Sequence, residues 1–266
     1  VNKKEFQNVV WEKGHELYRD MPWRQDTRPY YVLLSEMMLQ QTQVGRVIPK
    51  FHEFIERFPD IYMLAAASLS DVLSLWSGLG YNRRAKYLHE AAKKIVNEFG
   101  GVFPETKAAL ISLPGIGENT AGALLAYSFN QPSVFIETNI RTVYFYHFFP
   151  EGDIVDDKQL RDAVTETVDV EHPREWYWAL MDYGTFLKQQ GIGSIRQSKH
   201  YKKQSPLKGS LREVRGLILK SLRNRSQSEA ALRTELPQDD RFGRALAALI
   251  DEGLVIVADG QLHLGQ

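Results

Sequence analysis

The sequence predicts an all-α fold ending in a small module of three helices and a hairpin. Two observations carry this expectation. Apolar residues recur three and four apart through residues 1–190, as in "YYVLLSEMMLQQTQVGRVIPKFHEFIERF" and "KYLHEAAKKIVNEF", the spacing that lines one face of a helix. Clusters of Pro, Gly and Asp at "FPDI", "FGGVFPET" and "FPEGDIVDD" then cut this pattern into many short helices. Before the C-terminal end the sequence has no comparable alternating run that would indicate strands.

The composition fits an ordinary globular chain: 266 residues, 43% hydrophobic and 25% charged. Lys+Arg and Asp+Glu both count 33, so any nucleic-acid preference rests on a local basic face rather than on net charge. The absence of cysteine excludes disulfides, thiolate zinc sites and Cys-ligated iron–sulfur clusters within these residues. No apolar run is long enough to span a bilayer and no signal-peptide pattern begins at Val1, so the expectation is a cytoplasmic protein, nucleoid-associated if bacterial, with no membrane partner.

In chain order, the first chemically suggestive stretch is "PWRQDTRPYYVLLSEMMLQQTQV". Glu36 sits among Leu33, Leu34, Met37, Met38 and Leu39. It is either the polar stripe of an amphipathic helix or a carboxyl in an apolar setting, which raises its pKa as a general acid needs. Further on, "LPGIGENTAGALLAY" places Gly115 and Gly117 in a tight turn that opens onto a helix of small residues, with "TKAALISL" as the helix before it. Glycines permit close backbone approach, and a helix N-terminus offers free N–H groups to a phosphate. The alternative is a packing corner. In "FIETNIRTVY", Glu137 follows an apolar segment and stands where a helix starts at Thr138 or Asn139; its residue-level reading is a charge favoured by the helix dipole.

The segment "KQQGIGSIRQSKHYKKQSPLKGS" contains Lys188, Arg196, Lys199, Lys202, Lys203 and Lys208 and no acidic residue. It reads as a basic linker over 188–208, either a solvated tether or a strip that tracks phosphates. Beyond it, "LREVRGLILKSLRNR", "SQSEAALRTEL" and "DDRFGRALAALIDEGLV" predict three helices, with caps at Ser228 and at Asp239 or Asp240. "LVIVADGQLHLG" then predicts a hairpin turning at Asp259-Gly260. Together these make a winged-helix-like domain at 209–266.

Taken in order, "PWR", "LSEMMLQQTQV", "LWSGLGYNRRAKYLHEAA", "FGGVFPET", "LPGIGENTAGALLA" and "WALMDYG" resemble the helix-hairpin-helix (HhH-GPD) DNA glycosylase superfamily, most closely its MutY-type adenine glycosylase branch. The resemblance covers about residues 5–187. It implies a bilobal all-α fold, with a six-helix lobe at about 27–130, a second lobe at about 1–26 plus 131–187, and double-stranded DNA containing a mismatched or damaged base as partner. The target nucleotide would be flipped out of the stack. By the same resemblance, Glu36 protonates the departing purine, and Glu137 stabilises the oxocarbenium-like sugar. Gln41 and Tyr81 wedge into the duplex, with Thr42 and Leu79 near the opposite base. Trp23, Arg24, Leu39, Asn119 and Trp178 line the base pocket. Leu113, Gly115, Gly117 and Thr120 grip the backbone, with Lys199, Lys202 and Lys203 adding charge. The carbonyls of Ile111, Leu113 and Ile116 hold a monovalent cation, Na or K; no other cofactor is required, and the expected state is a monomer.

Four departures from the family pattern shape the functional expectation. The four cysteines of the MutY cluster are missing, and the basic linker occupies their place. The C-terminal segment is too short for the family's Nudix-like domain. Trp178 stands where the family has Gln or Glu against adenine; an indole stacks but offers no donor–acceptor pair. Glu137 replaces an aspartate, moving the carboxylate by about 1.5 Å. Asn119 occupies the position where bifunctional relatives carry a nucleophilic lysine, which implies base removal without AP-lyase strand cleavage. The expectation is a monofunctional glycosylase acting on adenine opposite 8-oxoguanine or guanine. The alternatives are a thymine/uracil glycosylase acting on G:T or G:U mismatches, and a catalytically weak lesion-binding protein.

Overall fold

A computed structural model describes residues 2–150, 154–192, 206–236 and 239–265. In chain order these contain α1 (Lys3–Glu16), α2 (Pro22–Gln25), α3 (Pro29–Leu39), α4 (Val44–Arg57), α5 (Ile61–Ala66), α6 (Leu69–Trp76), α7 (Arg83–Phe99), α8 (Lys107–Ile111), α9 (Glu118–Tyr127), α10 (Thr138–Phe148), α11 (Asp157–Thr167) and α12 (Pro173–Gln189). They continue with α13 (Leu211–Leu222), α14 (Glu229–Glu235), α15 (Asp240–Asp251), β1 (Val255–Ala258) and β2 (Gln261–Leu264). The predicted all-α class is observed, and the two strands are the only ones among the described residues.

Local chemistry sets the helix boundaries. Asn2 with Glu5 and Asp156 with Gln159 form capping boxes, while Asp60, Ser68, Thr106, Ser210 and Ser228 accept from first-turn N–H groups. The long apolar pattern around residues 30–58 is interrupted at Gln40–Gln43, where Gln41 takes φ 57 and separates α3 from α4. Helix α7 stops at Gly100, whose φ of 62 is the left-handed conformation that glycine adopts without strain.

The chain divides into two compact units. Unit 1 comprises Val1–Leu33, Pro104–Ser112 and Ile116–Lys203. Its core is aromatic: the Phe6 ring lies 5.0 Å from Tyr144 and 4.9 Å from Phe148, and Phe135 lies 4.1 Å from Tyr177. Small residues bring its helices close. A Cβ on Gly14 would stand 2.4 Å from Ala179 Cβ, where α1 meets α12, and one on Gly184 would stand 2.2 Å from Asn139 O, where α12 meets α10. A Cβ on Gly122 would fall 2.7 Å from Phe135 Cβ, so α9 meets that ring closely only because this position is glycine. This packing groups α8 and α9 with unit 1, whereas the sequence-based lobe boundary places them in the span 27–130.

Unit 2 comprises Leu34–Phe103, Leu113–Gly115 and Gln204–Gln266. Val47, Phe51 and Phe54 of α4, Trp76 of α6, and Leu88 and Ile95 of α7 are fully buried, with Phe54 edge-on to Trp76 at 5.9 Å. The C-terminal module belongs to this unit. Its hairpin pairs Val255 with Leu264 and Ala258 with Gln261. The turn residues Asp259 (φ 51) and Gly260 (φ 70) are both left-handed, as a two-residue hairpin turn of matching twist requires. Gln227 adds an isolated antiparallel bridge to Leu262, with N–O distances of 3.2 and 2.7 Å. Gly265 donates to Leu254 at 2.9 Å, and a Cβ there would stand 3.0 Å from Leu69 of α6. The module is therefore seated on its own unit.

Candidate active site

Unit 2 carries the first group of predicted residues. Helix α3 presents Glu36 half-buried, between Ser35 and Met37, which are almost fully enclosed. The helix ends at Leu39, also half-buried, and the chain turns through Gln41 and Thr42. The second loop runs Gly78–Tyr81 with φ of 96 at Gly78, 73 at Gly80 and 48 at Tyr81. Among the described residues only Gln41, Tyr81, Asn130 and Asp259 are non-glycines with positive φ. Two of the four are the expected wedge residues. A left-handed conformation is costly for a tyrosine and persists only where surrounding structure enforces it.

One restraint on these loops is Arg84, which sequence reasoning missed. Its Nη1 donates to the carbonyls of Met37 (2.6 Å), Met38 (2.9 Å) and Gln40 (2.7 Å). Its Nη2 donates to Thr42 Oγ1 (3.2 Å) and to the carbonyls of Leu79 (3.4 Å) and Gly80 (3.1 Å). One guanidinium thus staples the end of α3 to both loops. Its carbon also lies 5.3 Å from the Trp76 ring centroid and 5.4 Å from that of Tyr81, distances at which cation–π attraction operates. Burial pushes its pKa down to about 10, which leaves it charged at neutral pH. A signal for it exists in the sequence: Arg84 shares the buried face of α7 with Leu88, Ala91 and Ile95, so a cation interrupts an otherwise apolar stripe. Thr42 also donates to Leu79 O at 3.4 Å, and Leu79 is buried, which joins the two expected neighbours of the opposite base.

The hairpin glycines differ in role. Gly115 has φ 75, and a Cβ there would stand 2.6 Å from Tyr87 Cβ, so only glycine fits. Gly117 has φ −96, and a Cβ there would meet nothing within 4 Å; its surroundings are open for another molecule to approach. It also caps α9 without a side chain, which leaves the first-turn N–H groups to an outside acceptor. Leu113 is buried, Ile111 is exposed, and Thr120 is half-buried. Lys107 of α8 pairs with Glu118 of α9 at 2.5 Å and holds that carboxyl below the usual range.

Unit 1 carries the second carboxylate. Glu137 is half-buried and is itself the N-cap of α10, with φ −97 and ψ 170; Thr138 starts the helix, one of the two expected starts. The residue before it is clamped. Asn119 donates from Nδ2 to Ile136 O at 2.9 Å and accepts from Ile136 N at 3.1 Å. The amide thereby satisfies both backbone groups of Ile136 and fixes the direction in which the chain enters Glu137. Asn119 itself is exposed at the start of α9.

Arg24 of the "PWR" stretch and Trp178 belong to one cluster in the same unit. Asp182 receives Arg24 Nη1 at 2.7 Å, Arg24 Nη2 at 3.0 Å, Arg19 Nε at 2.6 Å and Arg19 N at 3.2 Å. Arg24 also donates to Arg19 O at 3.0 Å. The Arg24 guanidinium lies 5.3 Å from the Trp178 ring and 5.4 Å from that of Tyr18, and Trp178 stacks on Tyr127 at 6.4 Å. Trp23 is buried. Arg24 is thus a structural cation, and the indole of Trp178 is the half-buried surface it supports. Lys199, Lys202 and Lys203 lie outside the described residues. No group of three or more His, Asp or Glu side chains able to hold a metal ion occurs among the described residues.

A family model for "HhH-GPD superfamily base excision DNA repair protein" matches residues 34–169, just over half of the chain. The chain belongs to the HhH-GPD superfamily. Its curated relatives include the adenine DNA glycosylase of Buchnera aphidicola subsp. Baizongia pistaciae, 39% identical over 183 residues, covering 68% of this chain and 52% of that protein. The adenine DNA glycosylase of Mycobacterium tuberculosis H37Rv is 31% identical, covering 93% of this chain and 89% of its own length. The human adenine DNA glycosylase is 37% identical over 179 residues, with coverages of 62% and 33%. The chain spans about half the length of the Buchnera relatives it matches. Among solved structures, a thermostable thymine-DNA glycosylase superposes with a TM-score of 0.61 at 24% identity, covering 68% of this chain and 85% of its own. A trapped endonuclease III–DNA covalent intermediate gives 0.58 at 17%, covering 77% and 91%. These two show that the fold is the HhH-GPD glycosylase fold.

Proposed function

We propose that this HhH-GPD protein is a DNA glycosylase of base excision repair that hydrolyses the N-glycosidic bond of a flipped-out adenine opposite 8-oxoguanine or guanine. The observation that carries this reading is the pair of left-handed residues Gln41 and Tyr81, on loops stapled by Arg84 to the end of the helix that bears Glu36. Loops held in a fixed, strained conformation suit entry into a base stack, and flipping a base requires something to fill the gap it leaves. The adenine glycosylase relatives support the choice of base.

In this reading Glu36 delivers a proton to the purine, which then leaves as a neutral base. The carboxylate of Glu137 faces the positive charge that develops on the sugar, and water adds its hydroxyl to C1′ as the bond to the base breaks, its remaining proton restoring the Glu36 carboxyl. Asn119 has no amine with which to form a Schiff base, so the product is an abasic site in an uncut strand. Gly117 and the open first turn of α9 take a phosphate, and a monovalent cation held by the carbonyls of Ile111, Leu113 and Ile116 would supply added positive charge there. The indole of Trp178 contributes a stacking face for the extruded base. Lys199, Lys202 and Lys203 add salt-dependent affinity. The C-terminal module acts as a winged-helix-like part of a monomeric protein, and no helix among the described residues is long and apolar enough to cross a membrane.

Trp178 in place of a hydrogen-bonding residue motivates a second reading, removal of thymine or uracil opposite guanine. One experiment separates the two: single-turnover incubation with duplexes carrying A:8-oxoG, A:G, G:T or G:U, followed by alkali. Alkali-dependent strand breaks confined to the adenine-containing duplexes are the expected result. Cleavage confined to G:T or G:U selects the second reading, and no alkali-labile product from any duplex refutes both.

A further inference from the structure

Tyr81 has a partner from a distant part of the chain. Arg212, in the first turn of α13, donates from Nη1 to the Tyr81 hydroxyl, and its guanidinium carbon lies 5.3 Å from the ring centroid. Arg84 sits over the same ring at 5.4 Å. The tyrosine is thus contacted by two guanidiniums, one from α7 and one from the C-terminal module.

The module is fixed close by. Glu252, just after α15, accepts from Arg215 at 3.0 and 2.5 Å and from Arg83, two residues beyond Tyr81. Lys86 donates to the Glu252 carbonyl at 2.5 Å. Burial alone would push the Glu252 carboxyl up, but the hydrogen bonds from Arg215 and Arg83 outweigh it and hold it below the usual range. The ion pairs therefore persist at neutral pH and hold the start of α13 against the start of α7. Across the module the acidic and basic side chains are balanced: residues 209–265 carry eight Arg or Lys and eight Asp or Glu. Its charge does not mark it as a phosphate-binding surface, which leaves its contact with the wedge loop as its distinctive feature.

We infer that Arg212 is a positioning residue: through the Tyr81 hydroxyl and ring, the C-terminal module holds the wedge in its left-handed conformation. Tyr81 carries a φ of 48 that a tyrosine does not adopt by preference, and its loop is otherwise rich in glycine, with Gly78 and Gly80 on either side of Leu79. Glycines give the loop many alternatives. A hydrogen bond from a charged donor, together with a stacked guanidinium, removes them before DNA arrives, so less ordering is left for the encounter. The C-terminal segment is then an integral part of the wedge rather than an appended domain. The consequence for base release rests on the glycosylase reading above; the tether itself does not.

The test uses the full chain in two arms. In the first, hydrogen–deuterium exchange follows the peptide spanning residues 77–84 in the protein without DNA. Arg212→Met is expected to speed exchange there about tenfold, the change that loss of one charged hydrogen bond produces. Tyr81→Phe should speed it similarly, the double variant should be no faster than either single, and Arg212→Lys, which keeps a donor, should restore part of the protection. In the second arm, single-turnover base release should fall about tenfold in Arg212→Met with a thermal midpoint within about 2 °C of the parent, and fall no further when Tyr81→Phe is added. Unchanged exchange in residues 77–84, or independent multiplying effects of the two substitutions, overturns the inference. Failure of the parent protein to release any base defeats the glycosylase reading but leaves the exchange arm to decide the tether.

Discussion

Replacing Arg84 with methionine should be the most damaging single change in unit 2 that leaves its apolar core intact. Methionine matches the unbranched stem but removes every donor. Four of the lost hydrogen bonds, to Met37 O, Met38 O, Gln40 O and Gly80 O, are 3.1 Å or shorter. A hydrogen bond to a charged group contributes about 1.5–3 kcal/mol net, and a buried carbonyl stripped of its donor costs about 1–3 kcal/mol. Against this stands the relief of a buried charge. The fall of the Arg84 pKa from 12.5 to about 10 corresponds to roughly 3 kcal/mol at 1.36 kcal/mol for each unit. Because the bonds share one guanidinium they do not add fully, and the net expectation is a loss of about 3–5 kcal/mol. At about 2–4 °C for each kcal/mol in a protein of this size, the thermal midpoint falls by roughly 6–20 °C. Arg84→Lys should recover little, since one ammonium cannot reach carbonyls on both sides of the fork. Urea denaturation and thermal melts of parent and variants at pH 7 provide the measurement. A loss below about 1 kcal/mol for Arg84→Met would mean that the two loops are held by something other than this staple.

Three further outcomes follow from the same geometry. Asn119→Leu removes both hydrogen bonds to Ile136 and should lower single-turnover base release by about 10–100-fold, with a stability loss of about 1–2 kcal/mol; equal rates in parent and variant would show that the clamp does not govern Glu137. Gly115→Ala forces a Cβ into φ 75 and to 2.6 Å from Tyr87 Cβ, so duplex affinity in a salt titration should fall at least tenfold, while Gly117→Ala, with open space around it, should leave the fold's melting point unchanged. His89 and His147 titrate below their ordinary value of 6.5, both chiefly because burial disfavours the imidazolium. The unfolded chain therefore binds more protons than the folded one as pH falls through 6.5, and stability present above that pH is lost below it. The melting point should drop between about pH 7.5 and 5.5, and His89→Gln, which keeps a donor for Ala67 O, should flatten that slope; an identical slope would exclude His89 as a source.

The helices are legible in the sequence because their spacing and caps are local properties. Ser228 and Asp239 cap α14 and α15 as the pattern predicts, and Asp259-Gly260 turns the hairpin. Glu36, Gln41, Tyr81 and Glu137 stand out from motifs, and the structure gives the wedge pair a conformation that no propensity scale indicates. Asp182 and Arg212 do not stand out, and Arg84 shows only as a cation in an apolar stripe, since each acts across the chain: Arg84 reaches carbonyls of the α3 end 44–47 residues away, Asp182 its two arginines 158–163 away and Arg212 the Tyr81 hydroxyl 131 away. Long-range polar contacts leave no period in a sequence. Asn119 reads as a pocket residue from its position in a motif, whereas its amide satisfies the backbone of Ile136, a role that only the return of the chain past α9 creates. The lobe boundaries also depend on such returns, because α9 packs closely on Phe135, which follows it in the chain, and both belong to unit 1.

Whether Glu36 delivers the proton that releases adenine is decided most directly by one comparison. Parent protein and Glu36→Gln are each mixed in excess with a duplex carrying adenine opposite 8-oxoguanine, and free adenine is quantified by chromatography alongside duplex affinity. The expected result is adenine release by the parent, a loss of at least 1,000-fold in rate for Glu36→Gln (roughly 4 kcal/mol of transition-state stabilisation), and closely similar affinities. Adenine release by Glu36→Gln at the parental rate, or none by a parent that binds the duplex tightly, would contradict it.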